Sequence, residues 1–553
     1  MGVRGLTGFI NKNNIFSQYE LSNGTVIVDG YNFLYSLYFD EEIDVKHGGE
    51  YSDFYKIFND FISVLDTCKV KPIFIFDGGH VDERKFPTIK ERFEKNLKRS
   101  LRIGQGADDD RCILPLFCSH TMIKLFNDLN VCAVWCDFES DPEIAKIANE
   151  YRCPVLSADS DFYIMDLPNG FINTSDFQWK TATRRGIKCK IYYRSEFCRR
   201  MDILKECVPL VAAFAGNDFN ECQMRIGNAI TFLKGKTSAD TAVNQALKRV
   251  NRDVKDRMKR EIMSSLSTYD IPETSSTLAY LKNPNAEMPE SALYSNFPPW
   301  FIALYRKGGV NKDSVDVVLY QQRFLNHYVE DETDSCADNA SLSLRKWQYG
   351  ILAKESSIKE YFREADKLTH KMVTPNKTSV EGLCVPNLED MQKLSLEERE
   401  DWFFNFLETK KGEYENMPAE FHLPIAAFKF WLKHCKPERE YAFALLSSWI
   451  VAVNGRKERG AEGMATYKNP YFNLRASHAF SQWQSILKHT IYLNQLLMSP
   501  IFECDVTVLY SGRMIFSHLE KGKKEIKAYL QENVPAFSES AKALYDVLKN
   551  LIE

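Results

Sequence analysis

The sequence of 553 residues predicts an α/β fold, a parallel-sheet domain followed by a mostly α-helical C-terminal region. Three observations carry this. Four short apolar runs, at 25–29, 71–77, 131–135 and 154–157, alternate with helical patterns at 54–67, 88–101 and 121–128. These runs are continuously apolar rather than alternating, as strands are when helices cover both faces of a parallel sheet. Beyond residue 345 the stretches 423–434, 440–453 and 479–498 repeat apolar residues at helical spacing. The chain therefore divides into a sheet domain over 1–230, a helical extension over 231–345 and a helical C-terminal domain over 346–553. The extension carries a basic patch and an acidic, weakly patterned stretch at 330–340 that reads as a loop or linker.

Composition narrows the class. A chain that is 44% hydrophobic and 13% aromatic is not disordered. Lys plus Arg is 71 against 75 Asp plus Glu, and the net charge of −4 excludes a polycation. The 14 cysteines include no C-x-x-C pair and none at zinc-ligand spacing with a histidine, so free thiols in a reducing compartment are expected. The first residues lack the apolar core of a signal peptide. The most membrane-like stretch, 441–453, falls well short of the roughly 20 residues that span a bilayer, so it reads as a buried helix. A soluble intracellular protein with no membrane partner is expected.

Taken in order, the elements of the sheet domain end in acid. The first strand closes on Asp29 and the second on Asp77, each followed by glycine. Glu139 and Asp141 follow the third strand, and Asp159 and Asp161 the fourth. Asp218 follows a fifth apolar run, 210–215, in Gly216-Asn217-Asp218. Ligands of parallel sheets bind at the carboxyl ends of the strands, where these seven carboxylates would converge. Seven like charges there repel one another, and a divalent cation removes that penalty; hard oxygen donors suit Mg²⁺ or Mn²⁺. Singly, each acid has a local alternative. Asp141-Pro142 can cap a helix, Asp159-Ser160-Asp161 can form an Asx turn, and Asp29 and Asp77 can be turn residues. Five such ends together, two of them acid-x-acid, favour a joint site.

The motifs Gly2-Val3-Arg4-Gly5-Leu6, Val28-Asp29-Gly30, Phe76-Asp77-Gly78, Glu139-x-Asp141, Asp159-Ser160-Asp161 and Gly216-Asn217-Asp218 together resemble the flap-endonuclease/XPG superfamily of structure-specific nucleases. Within it, the opening MGVRGLTGFI, CPVLSADSDF at 153–162, HAFSQWQS at 478–485, YLNQLL at 492–497 and LYSG at 509–512 resemble the asteroid family. The resemblance implies a PIN-like nuclease core. It also implies a metal-dependent endonuclease acting on single-stranded, flap or overhang DNA, in DNA repair. Asp29, Asp77, Glu139 and Asp141 would hold one Mg²⁺ or Mn²⁺ and Asp159, Asp161 and Asp218 a second. Two ions about 4 Å apart activate a water and stabilise the leaving oxygen of phosphodiester cleavage. Lys85 and Arg92 match the spacing of the family's phosphate-steering pair, and Gly2, with Arg4 close by, matches its DNA-contacting amino end. The sequence departs from the pattern at Asp141, where flap endonucleases carry Glu. It departs again after Asp218, where the single Gly227 replaces a glycine-rich turn.

Two basic segments complete the reading. Lys180, Arg184, Arg185, Lys188 and Lys190, with Arg194, Arg199 and Arg200 beyond, face one acid, Glu196; Trp179, Tyr192 and Tyr193 interleave. That mixture suits a phosphate track with bases stacked on rings. Residues 248–260 hold seven Lys or Arg and suit a DNA-facing stripe or a nuclear import signal. For both segments the alternative is a solvated charged face. Residues 1–262 contain 37 basic and 37 acidic side chains, so setting the seven acids aside leaves a positive surplus. The expected partners are DNA and, through the C-terminal helices, a protein; the expected location is the nucleus, with the cytoplasm as a second site. The competing reading is a nuclease-derived regulatory or scaffold protein in a signalling pathway, and RNA is a third possible substrate.

Overall fold

The computed structural model describes residues 2–79, 86–107, 113–216, 224–249, 252–285, 291–353, 356–378, 382–458 and 470–552. Two compact units emerge, each assembled from separated stretches of chain. The first contains residues 1–37, 59–90 and 130–295, the second 38–58, 91–129 and 296–553. This division cuts across the three consecutive spans expected from the sequence.

The first unit is built on a seven-stranded sheet. Its strands are β1 (Ser17–Leu21), β2 (Gly24–Asp29), β3 (Val70–Phe76), β4 (Cys132–Trp135), β5 (Val155–Ser157), β6 (Phe171–Asn173) and β7 (Ile187–Tyr192), in the order β1-β7-β6-β5-β2-β3-β4. The five central strands from β6 to β4 are parallel, while β7 and β1 join antiparallel at one edge. β2 lies between β3 and β5, and its Val26, Ile27 and Val28 are fully buried. That is why it reads as an unbroken apolar run. Register levels the strand ends: Asp29 pairs with Ile75, Phe76 with Trp135, and Val28 with Leu156. The residues that follow these positions therefore emerge on a common rim.

Where β2 ends, the chain turns straight into the helix Gly30–Asp40. A Cβ at position 30 would lie 2.1 Å from Cε1 of Phe76, so only glycine lets the turn pack against β3. The run 210–215, expected to end a fifth strand, is instead part of the helix Val208–Ala215, with Pro209 in its first turn. Every residue of that helix except Pro209 is buried, and apolar content alone does not separate a short buried helix from a buried strand.

The second unit is mainly helical, with the long helices Leu342–Leu352, His422–Cys435, Arg439–Glu458, Leu474–Leu496, Gly512–Asn533 and Glu539–Leu551. No helix among the described residues is long and apolar enough to cross a membrane. Against expectation this unit also holds a small sheet, β10-β9-β8, made by β8 (Gln322–Phe324), β9 (Ile358–Glu364) and β10 (Lys367–Val373). The acidic stretch 330–340 is not a solvated linker. Glu330 is buried against Arg363 at 2.8 Å, and Asp338 accepts hydrogen bonds from Tyr328 (2.8 Å), Ser485 (2.6 Å) and the Asn326 amide (2.9 Å). Two of its acids are thus core residues, because this unit supplies buried donors for them.

At the centre of this polar core, Arg345 and Glu360 are both fully buried. They pair through Nε–Oε1 at 2.6 Å and Nη2–Oε2 at 2.9 Å, and Tyr349 donates to the same carboxylate at 2.5 Å. Burial alone would raise the pKa of Glu360, but the Arg345 charge and its hydrogen bonds hold it at about 2. This stabilisation is complete above the ordinary carboxylate range and is lost as pH falls through the folded-state value. Glu360→Gln strands a buried guanidinium and should cost roughly 3–5 kcal/mol at pH 7. In urea titrations, the gap between wild type and variant should narrow as pH approaches 2.

Candidate metal centre

At the rim of the first unit, Asp141, Asp159 and Asp161 each present a carboxylate oxygen within 4.8 Å of the others. Two parts of the sequence deliver them. Asp141 lies in the first turn of the helix Ser140–Tyr151, which follows β4; the N-cap is Glu139, whose carboxylate takes no cap hydrogen bond. Both Asp141 and Glu143 therefore face the positive end of a helix dipole. Asp159 caps the short 3₁₀ helix Ser160–Tyr163 after β5, accepting the Asp161 amide at 3.0 Å. The Asx turn and the acid cluster are one structure, since the turn is what brings Asp159 and Asp161 to face the same point.

Asp29 and Asp77, at the ends of β2 and β3, are held by serine hydroxyls. Ser157 donates to Asp29 at 2.7 Å while accepting the Asp159 amide at 2.9 Å, so a single hydroxyl ties two acids together. Asn32 adds its amide to Asp29 and takes the Ala158 amide on its side chain. Asp77 accepts both the amide (2.8 Å) and the hydroxyl (2.7 Å) of Ser140, the residue between Glu139 and Asp141. Asp29, Asp159 and Asp161 are 6%, 9% and 6% exposed. Burial pushes the Asp29 carboxyl up to about 8; Asp77 and Asp159 add to the rise, against the opposing hydrogen bond from Ser157. This is the signature of a site with one negative charge too many for its surroundings. An all-carboxylate donor set fits a hard divalent cation, and no cysteine or histidine enters it. Asp218 and Lys85 lie outside the described residues.

The basic residues distribute differently from the acids. Arg4 is exposed and its amide bonds to the Gly216 carbonyl at 3.3 Å. Arg92 is half-buried on the helix Phe86–Gly104, which begins two residues before the start expected at Thr88. Lys180, Arg184, Arg185 and Lys188 are exposed, whereas Lys190 pairs with Asp176 at 2.7 Å and lies over Phe16. Two of the three rings expected to stack bases are committed elsewhere. Trp179 packs edge-on against Phe61, and Tyr192 is buried between Tyr163 and Phe197. The turn holding Arg184 and Arg185 is not at the acid rim. The Thr183 carbonyl accepts from Cys68 at 3.2 Å, and Gly186 packs on Glu20, Leu21 and Ser22, so the turn sits by the starts of β2 and β3. At about 3.3 Å per residue, roughly 17–20 Å of strand separates it from Asp29 and Asp77.

Comparison with known proteins bears on this arrangement. An XPG N-terminal domain model matches residues 1–99 and an Asteroid N-terminal domain model matches 461–553. A human protein named "Single-strand DNA endonuclease ASTE1" is 26% identical over all of this chain and 90% of its own length. The chain is thus similar to proteins of the asteroid family. A zebrafish (Danio rerio) protein of the same name is also 26% identical, over 100% of this chain and 86% of that protein, and Drosophila "Protein asteroid" is 27% identical over 49% and 40%. The catalytic core of Rad2 in complex with DNA substrate shares 14% identity at a TM-score of 0.34, over 50% of this chain and 88% of that one, a likeness too slight to weigh.

In this chain several supporting residues carry no motif. Ser140, Ser157 and Asn32 are visible in the sequence only as polar neighbours of the acids. Tyr269, 7% exposed, donates from its hydroxyl to Asp161 Oδ1 at 2.8 Å. Its one signal is phase: Met258, Ile262, Leu266 and Tyr269 share a helical face. Gly2 is a close fit against the acids themselves. Its φ is +79°, and a Cβ there would lie 2.3 Å from Asp159 Oδ1 and 2.6 Å from the Ser160 hydroxyl.

Two outcomes are expected. Asp29 is protonated in the folded metal-free chain at pH values where the unfolded chain is ionised. Its cost therefore grows from about pH 4 upward and is complete above about pH 8. Asp29→Asn should raise the Tm in chelator by a few degrees at pH 8, with the gain vanishing toward pH 4, and should reduce the Tm rise on adding Mg²⁺ or Mn²⁺. Gly2→Ala forces Asp159 to move. Any metal-dependent turnover should fall on the order of 100-fold, the cost of an ångström-scale misplacement, as read from single-turnover rates.

Proposed function

We propose that this chain is a metal-dependent, structure-specific DNA endonuclease acting on single-stranded, flap or overhang substrates. The observation that carries the reading is the convergence of Asp141, Asp159 and Asp161, with Asp29 buried beside them, on the carboxyl rim of a parallel sheet. Relatives named as single-strand DNA endonucleases, spanning the whole chain, support the same substrate class. Asp141, Asp159 and Asp161 would hold a cation. Asp29 and Asp77, with Glu139 and Asp218 by resemblance, would complete a two-ion set of Mg²⁺ or Mn²⁺. Bound there, the ions would supply Lewis acidity and a nucleophilic water at neutral pH.

The chain's own residues do the rest. Ser157 and Ser140 fix the carboxylates of Asp29 and Asp77, the Asx turn fixes Asp159 against Asp161, and Gly2 leaves the space in which Asp159 sits. Lys85 and Arg92 would bind phosphate. A role in DNA repair and a nuclear location complete the proposal. The regulatory reading has its own support in a human relative named "Constitutive coactivator of peroxisome proliferator-activated receptor gamma", 23% identical over 39% of this chain and 26% of that protein.

The test is cleavage of end-labelled single-stranded, 5′-flap, 3′-flap and overhang DNA by the full chain in Mg²⁺ or Mn²⁺, beside Asp159→Ala/Asp161→Ala. Cleavage is expected from the wild type, abolished by chelator and by the double substitution. A folded wild-type chain that cuts none of these substrates would favour the regulatory reading.

A further inference from the structure

Tyr269 lies outside the sheet and outside every motif that marks the acid cluster, yet its hydroxyl ends on Asp161. It follows the helix Arg252–Ser267, which packs against the buried helix Val208–Ala215. The packing is firm on one side. Ile262 is buried, Met258 and Leu266 lie against the same core, and the Tyr269 amide closes onto the Leu266 carbonyl at 3.1 Å. Lys255, Lys259 and Arg260 of this helix are exposed. The ring of Tyr269 is buried, so the hydroxyl has little freedom to leave the carboxylate it meets at 2.8 Å.

We infer that Tyr269 is a positioning residue of the metal centre. By occupying Asp161 Oδ1, its hydroxyl sets the plane in which that carboxylate meets Asp141 and Asp159. The backbone of Asp161 is fixed by its own turn, its amide donating to Asp159 at 3.0 Å. A carboxylate on a short 3₁₀ turn can rotate about its Cβ–Cγ bond, and a buried donor removes that freedom. Partners of this kind behind a metal ligand typically change metal affinity or activity by 10–100-fold. The inference rests on the metal-site reading given under the proposed function.

The test uses the full chain and Tyr269→Phe, which keeps the ring and deletes only the hydroxyl. Two readouts are taken: the Tm across a Mn²⁺ or Mg²⁺ titration, and single-strand cleavage across the same titration with kcat and KM for DNA separated. The Tm in chelator should stay near wild type, and KM for DNA should not move. The metal concentration giving half the full Tm shift, and half the full kcat, should rise about tenfold. On an Asp161→Asn background the same substitution should change that midpoint less than twofold, because the group it positions is gone. A lower Tm in chelator with an unchanged metal midpoint assigns the hydroxyl to stability and overturns the inference, as does a full effect on the Asp161→Asn background. If the wild type itself shows no metal-dependent Tm shift, the metal reading fails and this inference fails with it. A wild-type shift that Tyr269→Phe leaves intact overturns this inference alone.

Discussion

Like charges pressed together under cover of protein are expensive, and the rim of the first unit is organised around that cost. Asp29 shows it most directly: its carboxyl is pushed far above the ordinary range by burial, by Asp77 and by Asp159. The neighbouring groups hold the acids in place against their mutual repulsion. Ser157 bridges Asp29 and the Asp159 amide, Ser140 grips Asp77 twice, and the Asx turn locks Asp159 to Asp161. The parallel register of β2, β3 and β5 brings the acids to one level, and Gly30 allows the turn that leaves Asp29 there. Under the proposed function an outside cation would relieve this crowding of negative charge.

The second unit handles buried charge in the opposite way. Its interior holds Arg345, Glu360, Arg363, Glu330, Asp338 and Arg323, nearly as many ionic groups as the rim, yet each is met by a partner from the same unit. Opposite charges at hydrogen-bond distance hold Glu360 at about 2 against its burial, whereas burial, with like charges beside it, raises Asp29 to about 8. The contrast separates a self-neutralising structural core from a site that requires something from solution, within one polypeptide and by the same electrostatics.

Much of this was legible in the sequence because strand ends are legible. Continuous apolar runs announced β2, β3, β4 and β5 to within a residue or two, and acids placed after them could be read as a set. The reading failed where composition is silent about geometry. Residues 210–215 are as apolar as a strand but form a helix; periodicity does not separate the two in so short a run, although the three alanines of Val-Ala-Ala-Phe-Ala favour the helix. The charges at 330–340 looked solvated because their partners, Arg363 and Ser485, lie about 30 and 150 residues downstream. The strand β7 carries lysines, but the tyrosine and tryptophan around it face inward, so the mixture of basic and aromatic residues there is a packed edge. Tyr269 was invisible for the same reason: a single tyrosine more than 100 residues from its carboxylate leaves no local trace.

The interleaving of the two units sets the order in which the chain becomes a protein. The sheet of the first unit skips residues 38–58 and 91–129, and those segments belong with residues 296–553. During synthesis the first unit can close once residue 295 has emerged, but by then Tyr51, buried in the finished molecule, is still waiting for Gln484 and Tyr510. Contacts of such long sequence separation close slowly and leave apolar surface uncovered in the meantime. Growth of the chain therefore places completion of the first unit ahead of the second, which waits for residues beyond 480.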